Sequence, residues 1–368
     1  MEPKKIPAST HHCCRTAPGI FALPALLVLI WIFAPITPES VESSYGRTIY
    51  PLLTRCIVPV SDSIAWPLGP WLSAGLVVTL AIFSWRSWLR GRQTGTSRVR
   101  LLGKGALWTL GLALYGYVTF LLLWGAAYRR PPLEQNLGLE AKERSSAEIM
   151  ELAERVRDVV ESHFVPPKKR DFDSALASTR RALLETTREW RLGETRLPRH
   201  VKRLPDGWLL RGGTAGMCFP FTHEAYVDGA LPGVSFLPVA THELAHVAGL
   251  ARESDADLAA LFAGLRSKNR LAIYAAALEF LRDLEGELDA RNRDRLRRSL
   301  SKGVIRDIRE AREASEKYHS PALSSIQRKF YDHHLRTQGI EEGIANYSRA
   351  LLLAAHAIDS GLLRLPLP

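Results

Sequence analysis

The segment Thr241-His242-Glu243-Leu244-Ala245-His246 carries two imidazoles four residues apart. On a helix that spacing puts both rings on one face, where they can hold a single zinc ion. Glu243 stands beside them, placed to take a proton from an activated water without ligating the metal. This is the pattern of metal-assisted hydrolysis. Pro238 suits the first turn of such a helix, and Gly249 suits its end, since glycine readily takes the left-handed conformation that closes a helix. After the turn, Glu253-Ser254-Asp255-Ala256-Asp257 is expected to open another helix.

An E-x-x-A-D step after H-E-x-x-H resembles the glutamate zincins. The resemblance implies that His242, His246 and Glu253 hold one zinc ion, that Glu243 is the base, and that Asp257 supports a ligating imidazole by a hydrogen bond. Two imidazoles and one carboxylate leave a fourth tetrahedral position for water, as in catalytic sites. Glu253 follows His246 by a shorter gap than most glutamate zincins have, and Asp255 or Asp257 competes for the third place. A zincin usually lines its cleft with an edge strand that pairs with a peptide backbone. Residues 215–228 are the strand candidate, limited to an edge by Pro220. His223, Glu224, Tyr226 and Tyr274 are candidate transition-state or substrate contacts.

These residues need a frame. Three stretches, 16–38, 63–85 and 105–128, contain no Asp, Glu, Lys or Arg. Each is long enough to cross a hydrocarbon core of about 30 Å as a helix. The second is expected to start near Pro67 or Pro70, and the first to accommodate Pro24. Trp66, Trp71, Trp85, Trp88, Trp108 and Trp124 fall toward the ends of the second and third runs, where indoles favour the headgroup region. A cleaved signal peptide would show an A-x-A site after the first run, and none is clear, so a retained span is expected.

The net charge of +11 suggests a nucleic-acid binder until it is located along the chain. Arg86, Arg90, Arg92, Arg98, Arg100 and Lys104 lie between the second and third runs with no acid among them, and Lys4, Lys5 and Arg15 precede the first. Basic residues so placed mark cytoplasmic segments, and no nucleic-acid partner is expected. Arg129 and Arg130 oppose this with two charges against six. The expected organisation is a cytoplasmic tail (1–16), a three-helix transmembrane region (17–128) and an extracytoplasmic domain (129–368) in a bacterial cytoplasmic membrane. Four cysteines exclude a disulfide-built scaffold, although Cys56 and Cys218 would share the oxidising side and could pair.

Beyond Pro132 the pattern is mainly helical. Ser145-x-x-Glu148 is a capping box ahead of an apolar stripe from Ile149 to Val160. Residues 171–190 repeat the pattern, and glycines and prolines punctuate short β-like pieces over 191–236. Further helices are expected at 238–248, 254–267, 270–288, 292–317, 322–337 and 341–358. The fold class is mainly α: three N-terminal transmembrane helices followed by an α+β, zincin-like extracytoplasmic domain. His11-His12-Cys13-Cys14 reads as tail, and Asp332-His333-His334 as the surface of an amphipathic helix.

Trp124-Gly125-x-x-Tyr128-x-Arg130-x-Pro132-Leu133, Leu137-Gly138-Leu139, Phe219-Pro220-Phe221-Thr222-x-Glu224-Ala225, the His242–His246 motif and Tyr331-Asp332-x-x-Leu335 followed by Gly339 resemble the bacterial domain-of-unknown-function 3810 membrane-protein family. The resemblance runs over nearly the whole chain and implies three N-terminal spans with a zincin-like domain and no established substrate. His223 stands where a small residue is expected in the family. The reading that follows is a multi-pass membrane protein with a zinc metallopeptidase domain, acting on a peptide or protein outside the cytoplasm. The alternative is a non-catalytic zincin-like module for envelope binding or assembly. An intramembrane protease fits less well, because Arg252, Glu253, Asp255 and Asp257 would be costly to bury in hydrocarbon.

Overall fold

The computed structural model describes residues 19–93, 97–337 and 346–367. The N-terminal part forms α1 (Gly19–Phe33), α2 (Pro38–Val41), a π-helical stretch (Glu42–Ile49), α3 (Tyr50–Ser63), α4 (Leu68–Gln93) and α5 (Arg98–Leu123). There follow α6 (Leu133–Leu137), α7 (Ser146–His163), α8 (Phe172–Glu189), and the strands β1 (Lys202–Leu204), β2 (Gly216–Phe219) and β3 (Glu224–Asp228). The rest is helical: α9 (Gly233–Val247), α10 (Glu253–Leu265), α11 (Arg270–Glu287), α12 (Ala290–Arg298), α13 (Lys302–Tyr318), α14 (Pro321–Thr337) and α15 (Asn346–Asp359). The mainly helical class read from the sequence is the class observed.

Two helices among the described residues are long and apolar enough to cross a membrane: α4 and the stretch Gly105–Leu123 of α5. Leu72, Val77 and Val78 on α4, with Leu110 and Leu122 on α5, are exposed, whereas a soluble core helix buries such side chains. The sequence pattern predicts three spans, and here the count is corrected. The first apolar run forms α1, a helix of 15 residues, spanning about 22 Å at 1.5 Å per residue. Pro35 ends it, because a residue without an N–H cannot continue the ladder. The predicted tail 1–16, with His11 to Cys14, lies outside the described residues.

The third run also ends early. At Trp124 the backbone leaves the helix (φ −152°), and Gly125–Arg129 make a buried 3₁₀ turn. Gly125 permits the fold-back: a Cβ there would lie 2.7 Å from the Phe120 ring. Trp124, expected among lipid headgroups, is buried within the protein instead.

The chain divides into two units, one of described residues within Met1–Pro35 and Ser84–Thr119, the other Ile36–Phe83 with Phe120–Pro368. In the first, α1 meets α5 at Gly111, whose missing side chain leaves room for the Phe21 ring. Phe21 and Trp108 pack edge to face at 5.6 Å. The second unit includes the segment between the first two apolar runs, which is largely helical. Glu42 binds the buried Arg130 at 2.6 Å, and Arg130 donates onward to the carbonyls of Gly249 (2.9 Å) and Leu192 (3.3 Å). Tyr50 donates its hydroxyl to the Val247 carbonyl at 3.0 Å.

Within this body the predicted capping box is present: the Ser145 hydroxyl receives the Glu148 N–H while the Glu148 carboxylate receives the Ser145 N–H. The stripe Ile149, Leu152, Val156 and Val160 is buried, and α7 packs along α11. Helix α10 lies at the centre, touching α8, α9, α11 and α15. The sheet has the order β1-β3-β2, with β1 parallel and β2 antiparallel to β3. The single strand expected over 215–228 is therefore a hairpin. Pro220 withholds a ladder donor and His223, at φ 51°, reverses the chain. The helix expected over 292–317 is broken where Ser301 caps α13 through its hydroxyl. Cys56 and Cys218 are both free.

Candidate metal centre

Helix α9 begins earlier than the sequence suggests. Pro232 takes the extended conformation at its N-cap and Pro238 lies inside the helix, at the cost of one backbone bond. Its C-terminus closes at Gly249, φ +95°, with the Leu250 N–H on the Ala245 carbonyl at 3.2 Å. Glycine is required there twice over: by the left-handed backbone, and because a Cβ would stand 2.8 Å from the Tyr50 ring and 2.9 Å from Arg130 Nη1. This turn delivers Glu253, the first residue of α10, to the two imidazoles.

His242 Nε2 lies 3.1 Å from Glu253 Oε2, and His246 Nε2 lies 3.5 Å from the same oxygen. One ligand atom from each of the three residues falls within 4.8 Å of the others. Bonds of about 2.0–2.1 Å at tetrahedral angles put neighbouring ligand atoms about 3.3–3.4 Å apart, so both distances bracket the edge of a zinc tetrahedron. Glu253 Oε2 is buried, accepts no well-formed hydrogen bond and faces the two imidazole nitrogens at ion-pair distance, an arrangement that a shared cation would satisfy. The other carboxylate oxygen, Oε1, accepts the Tyr331 hydroxyl. Both imidazoles are held from behind: His242 Nδ1 meets Asp257 Oδ1 at 2.6 Å and His246 Nδ1 donates to the Leu250 carbonyl at 2.7 Å. With Nδ1 engaged, each ring presents Nε2 to the centre. His242, His246 and Glu253 thus gather the donor types that suit a zinc ion, with both carboxylate–imidazole distances near a tetrahedral edge.

Burial opposes charge throughout the site. It disfavours the imidazolium of His242, yet Asp257 and Glu253 outweigh it and hold that pKa well above its usual value. It likewise disfavours ionised Glu253, which the imidazoles of His246 and His242 hold well below the ordinary carboxylate range. Glu243 is pushed up by burial to about 7, against the pull of the two histidines. A Cβ on Gly216 would come within 2.4 Å of Glu243 Oε1, so the edge strand β2 runs directly against this carboxylate.

A cleft of about 1130 Å³ opens over these groups, somewhat above the usual range for ligand pockets. Gly216 and Met217 from β2, Glu243 from α9, Glu279 and Asp283 from α11 and Tyr331 from α14 are among its walls. Asp228, fully buried, supports one rim by accepting the N–H groups of Gly207, Leu209 and Leu210.

Of the expected residues, His242, Glu243, His246, Glu253 and Asp257 come together. Asp255 turns instead to the Leu133 N–H at 3.2 Å. The four candidate contacts lie away from the cleft. His223 is fully buried, stacks on Tyr50 and reaches the Leu123 carbonyl through Nε2 at 3.2 Å. Glu224 takes hydrogen bonds from Lys202, Thr222 and Tyr226, which outweigh burial and keep its pKa low. Tyr226 is committed to that network, and Tyr274 donates to Asp307 at 2.6 Å. Glu224 and Tyr226 follow an edge-strand signal and so read as substrate-facing, but they lie on β3, the central strand, which is buried on both faces. Sequence reasoning missed Tyr331 and Gly216. Tyr331-Asp332 stood in the family motif, the one signal that marked it.

The described body is thus helical, carries helices able to cross a membrane, and closes around a histidine–carboxylate constellation. The chain belongs to the family described as Protein of unknown function (DUF3810), whose model matches residues 45–354. No curated protein and no solved structure matches it.

Proposed function

We propose that the chain is a multi-pass membrane protein whose body is an extracytoplasmic, zincin-like, zinc-dependent peptidase. The observation that carries this reading is the buried Glu253 Oε2, without a well-formed hydrogen bond and 3.1 and 3.5 Å from two imidazole nitrogens. His242, His246 and Glu253 would hold the ion, which supplies Lewis-acid polarisation of a carbonyl and a water of lowered pKa. Glu243, buried beside the two imidazoles, takes the proton of the attacking water and returns it to the departing amine. The free edge of β2 binds the peptide backbone as an added strand and sets the scissile bond beside Glu243.

Membrane anchoring is supported by the exposed apolar faces of α4 and α5. The basic residues Arg86 to Lys104 favour a cytoplasmic position for the loop joining them, which puts both outer ends and the body across the bacterial cytoplasmic membrane.

The test is metal content and peptide hydrolysis of the full chain in detergent. Glu243→Gln is expected to keep zinc and lose hydrolysis, and His246→Ala to lose zinc. Turnover retained by Glu243→Gln refutes the assigned base. Zinc with no binding of a hydroxamate inhibitor points instead to a non-catalytic module.

A further inference from the structure

The cleft shares a wall with the end of a membrane helix. Phe120, Trp124 and Tyr128 line it together with Glu243 and Glu253. Phe120 belongs to the apolar stretch Gly105–Leu123 and lies three residues before its end, about 4.5 Å along a helix. The hairpin that borders Glu243 is tied to the outer ends of both helices by two adjacent residues. His223 Nε2 meets the Leu123 carbonyl at the end of α5, and the Glu224 carboxylate accepts the Leu68 and Gly69 N–H groups at the start of α4, each at 3.2 Å. His223 does this in a left-handed conformation uncommon outside glycine, and Glu224 in a fully satisfied buried network. These ties fix the edge strand close to the level where the two helices leave the hydrocarbon.

A second observation comes from the rim. Trp208 (58% exposed) and Met217 (36%) are cleft walls, and Phe221 (39%) caps the hairpin turn. From α14, Tyr331 lines the cleft while Leu323, Ile326 and Phe330 are exposed, Phe330 at 73%. Large apolar side chains so exposed mark a surface that meets something other than water. Phe219 and the hairpin turn pack against the start of α4, and for apolar side chains exposed there the fitting environment is the boundary between headgroups and acyl chains.

We propose that the cleft acts on peptide segments held at the bilayer surface, the juxtamembrane stretches of membrane-anchored proteins, in preference to freely diffusing peptides. The proposal rests on the peptidase reading and narrows its substrate class. A tethered segment meets the site at an effective concentration set by its short link to the membrane, in the millimolar range. A soluble peptide has no such advantage. Segments whose scissile bond lies far from the bilayer overshoot the cleft.

The experiment uses the full chain in lipid nanodiscs and two measurements. A genetically encoded fluorescent amino acid replaces Ile326 on the rim or Arg295 on α12, and quenching by brominated lipids is recorded. Strong quenching at 326 and none at 295 is expected; equal or absent quenching at 326 overturns the proposal. In the second measurement a randomised peptide pool is offered either soluble or joined to a single-span anchor, with the pool about 5 or about 40 residues from the bilayer. The anchored, near pool is expected to be cleaved at least about 100-fold faster than the soluble one at equal total concentration, and the far pool to lose most of that gain. Equal cleavage of anchored and soluble pools overturns the proposal and leaves the peptidase intact. Cleavage of neither overturns the peptidase reading, and this proposal falls with it.

Discussion

Replacing Gly216 by alanine puts a methyl group into space that Glu243 now occupies. The added carbon would stand 2.4 Å from Glu243 Oε1 and 2.8 Å from both Glu243 Cγ and Val239 Cγ1, where ordinary contact begins at 3.4 Å. The backbone of Gly216 is not left-handed, so alanine is tolerated by the strand itself and the strain falls on the carboxylate. Glu243 must retreat by about 1 Å, and a displacement of that size at a catalytic group costs about 100-fold in rate, equivalent to about 2.7 kcal/mol of barrier. The three nearest atoms belong to Glu243 and Val239, not to the proposed ligands His242, His246 and Glu253, so zinc content is expected to stay at the wild-type level. The assay is hydrolysis of a quenched fluorescent peptide pool by the full chain, with zinc measured by atomic emission and folding followed by thermal unfolding. Gly286→Ala serves as the control: Gly286 also borders the cleft, but a Cβ there meets nothing within 4 Å, and activity should be unchanged. Wild-type hydrolysis by a folded, zinc-replete Gly216→Ala protein would show that β2 does not constrain the base, and the account of the edge strand would fail.

Two further outcomes follow from the same geometry. Asp257→Asn weakens the anion behind the His242 ring and should lower zinc affinity about 10- to 100-fold in a chelator competition; an unchanged affinity removes Asp257 from the support of the site. Glu42→Gln leaves the buried Arg130 guanidinium without its carboxylate, costing about 3 kcal/mol and lowering the midpoint of thermal unfolding by about 6 °C or more. The exposed Arg295–Glu154 pair offers the contrast, with Arg295→Ala shifting stability by less than about 1 kcal/mol. Equal effects of the two substitutions would contradict the clamp assigned to Arg130.

Much of this molecule was readable from local pattern. The apolar runs that became α4 and α5, the capping box at Ser145, and the pairing of His242 with His246 all depend on neighbours within a few residues, so periodicity and spacing reveal them. The reach of Glu253 to the imidazoles follows from one tight turn at Gly249, also local. Element ends were less legible. The first run stops at a proline and the third at Trp124, where a glycine lets the chain fold back, and a hydropathy pattern does not register either event.

The three residues chosen around the edge strand went astray for a different reason. His223, Glu224 and Tyr226 are polar and lie beside the metal helix in sequence, but hydrogen bonds to Leu123, Lys202 and Gly69 draw them inward, across gaps of 100, 22 and 157 residues. Tyr331 and Gly216 reach the site by the same kind of long-range packing. The chemistry of the constellation is set by residue types a helical turn apart, and the chain declares those directly. Which strand faces Glu243, which tyrosine steadies Glu253, and how near the cleft lies to the ends of α4 and α5 depend on contacts between distant segments. Burial is a property of the folded whole, and no window of sequence contains it.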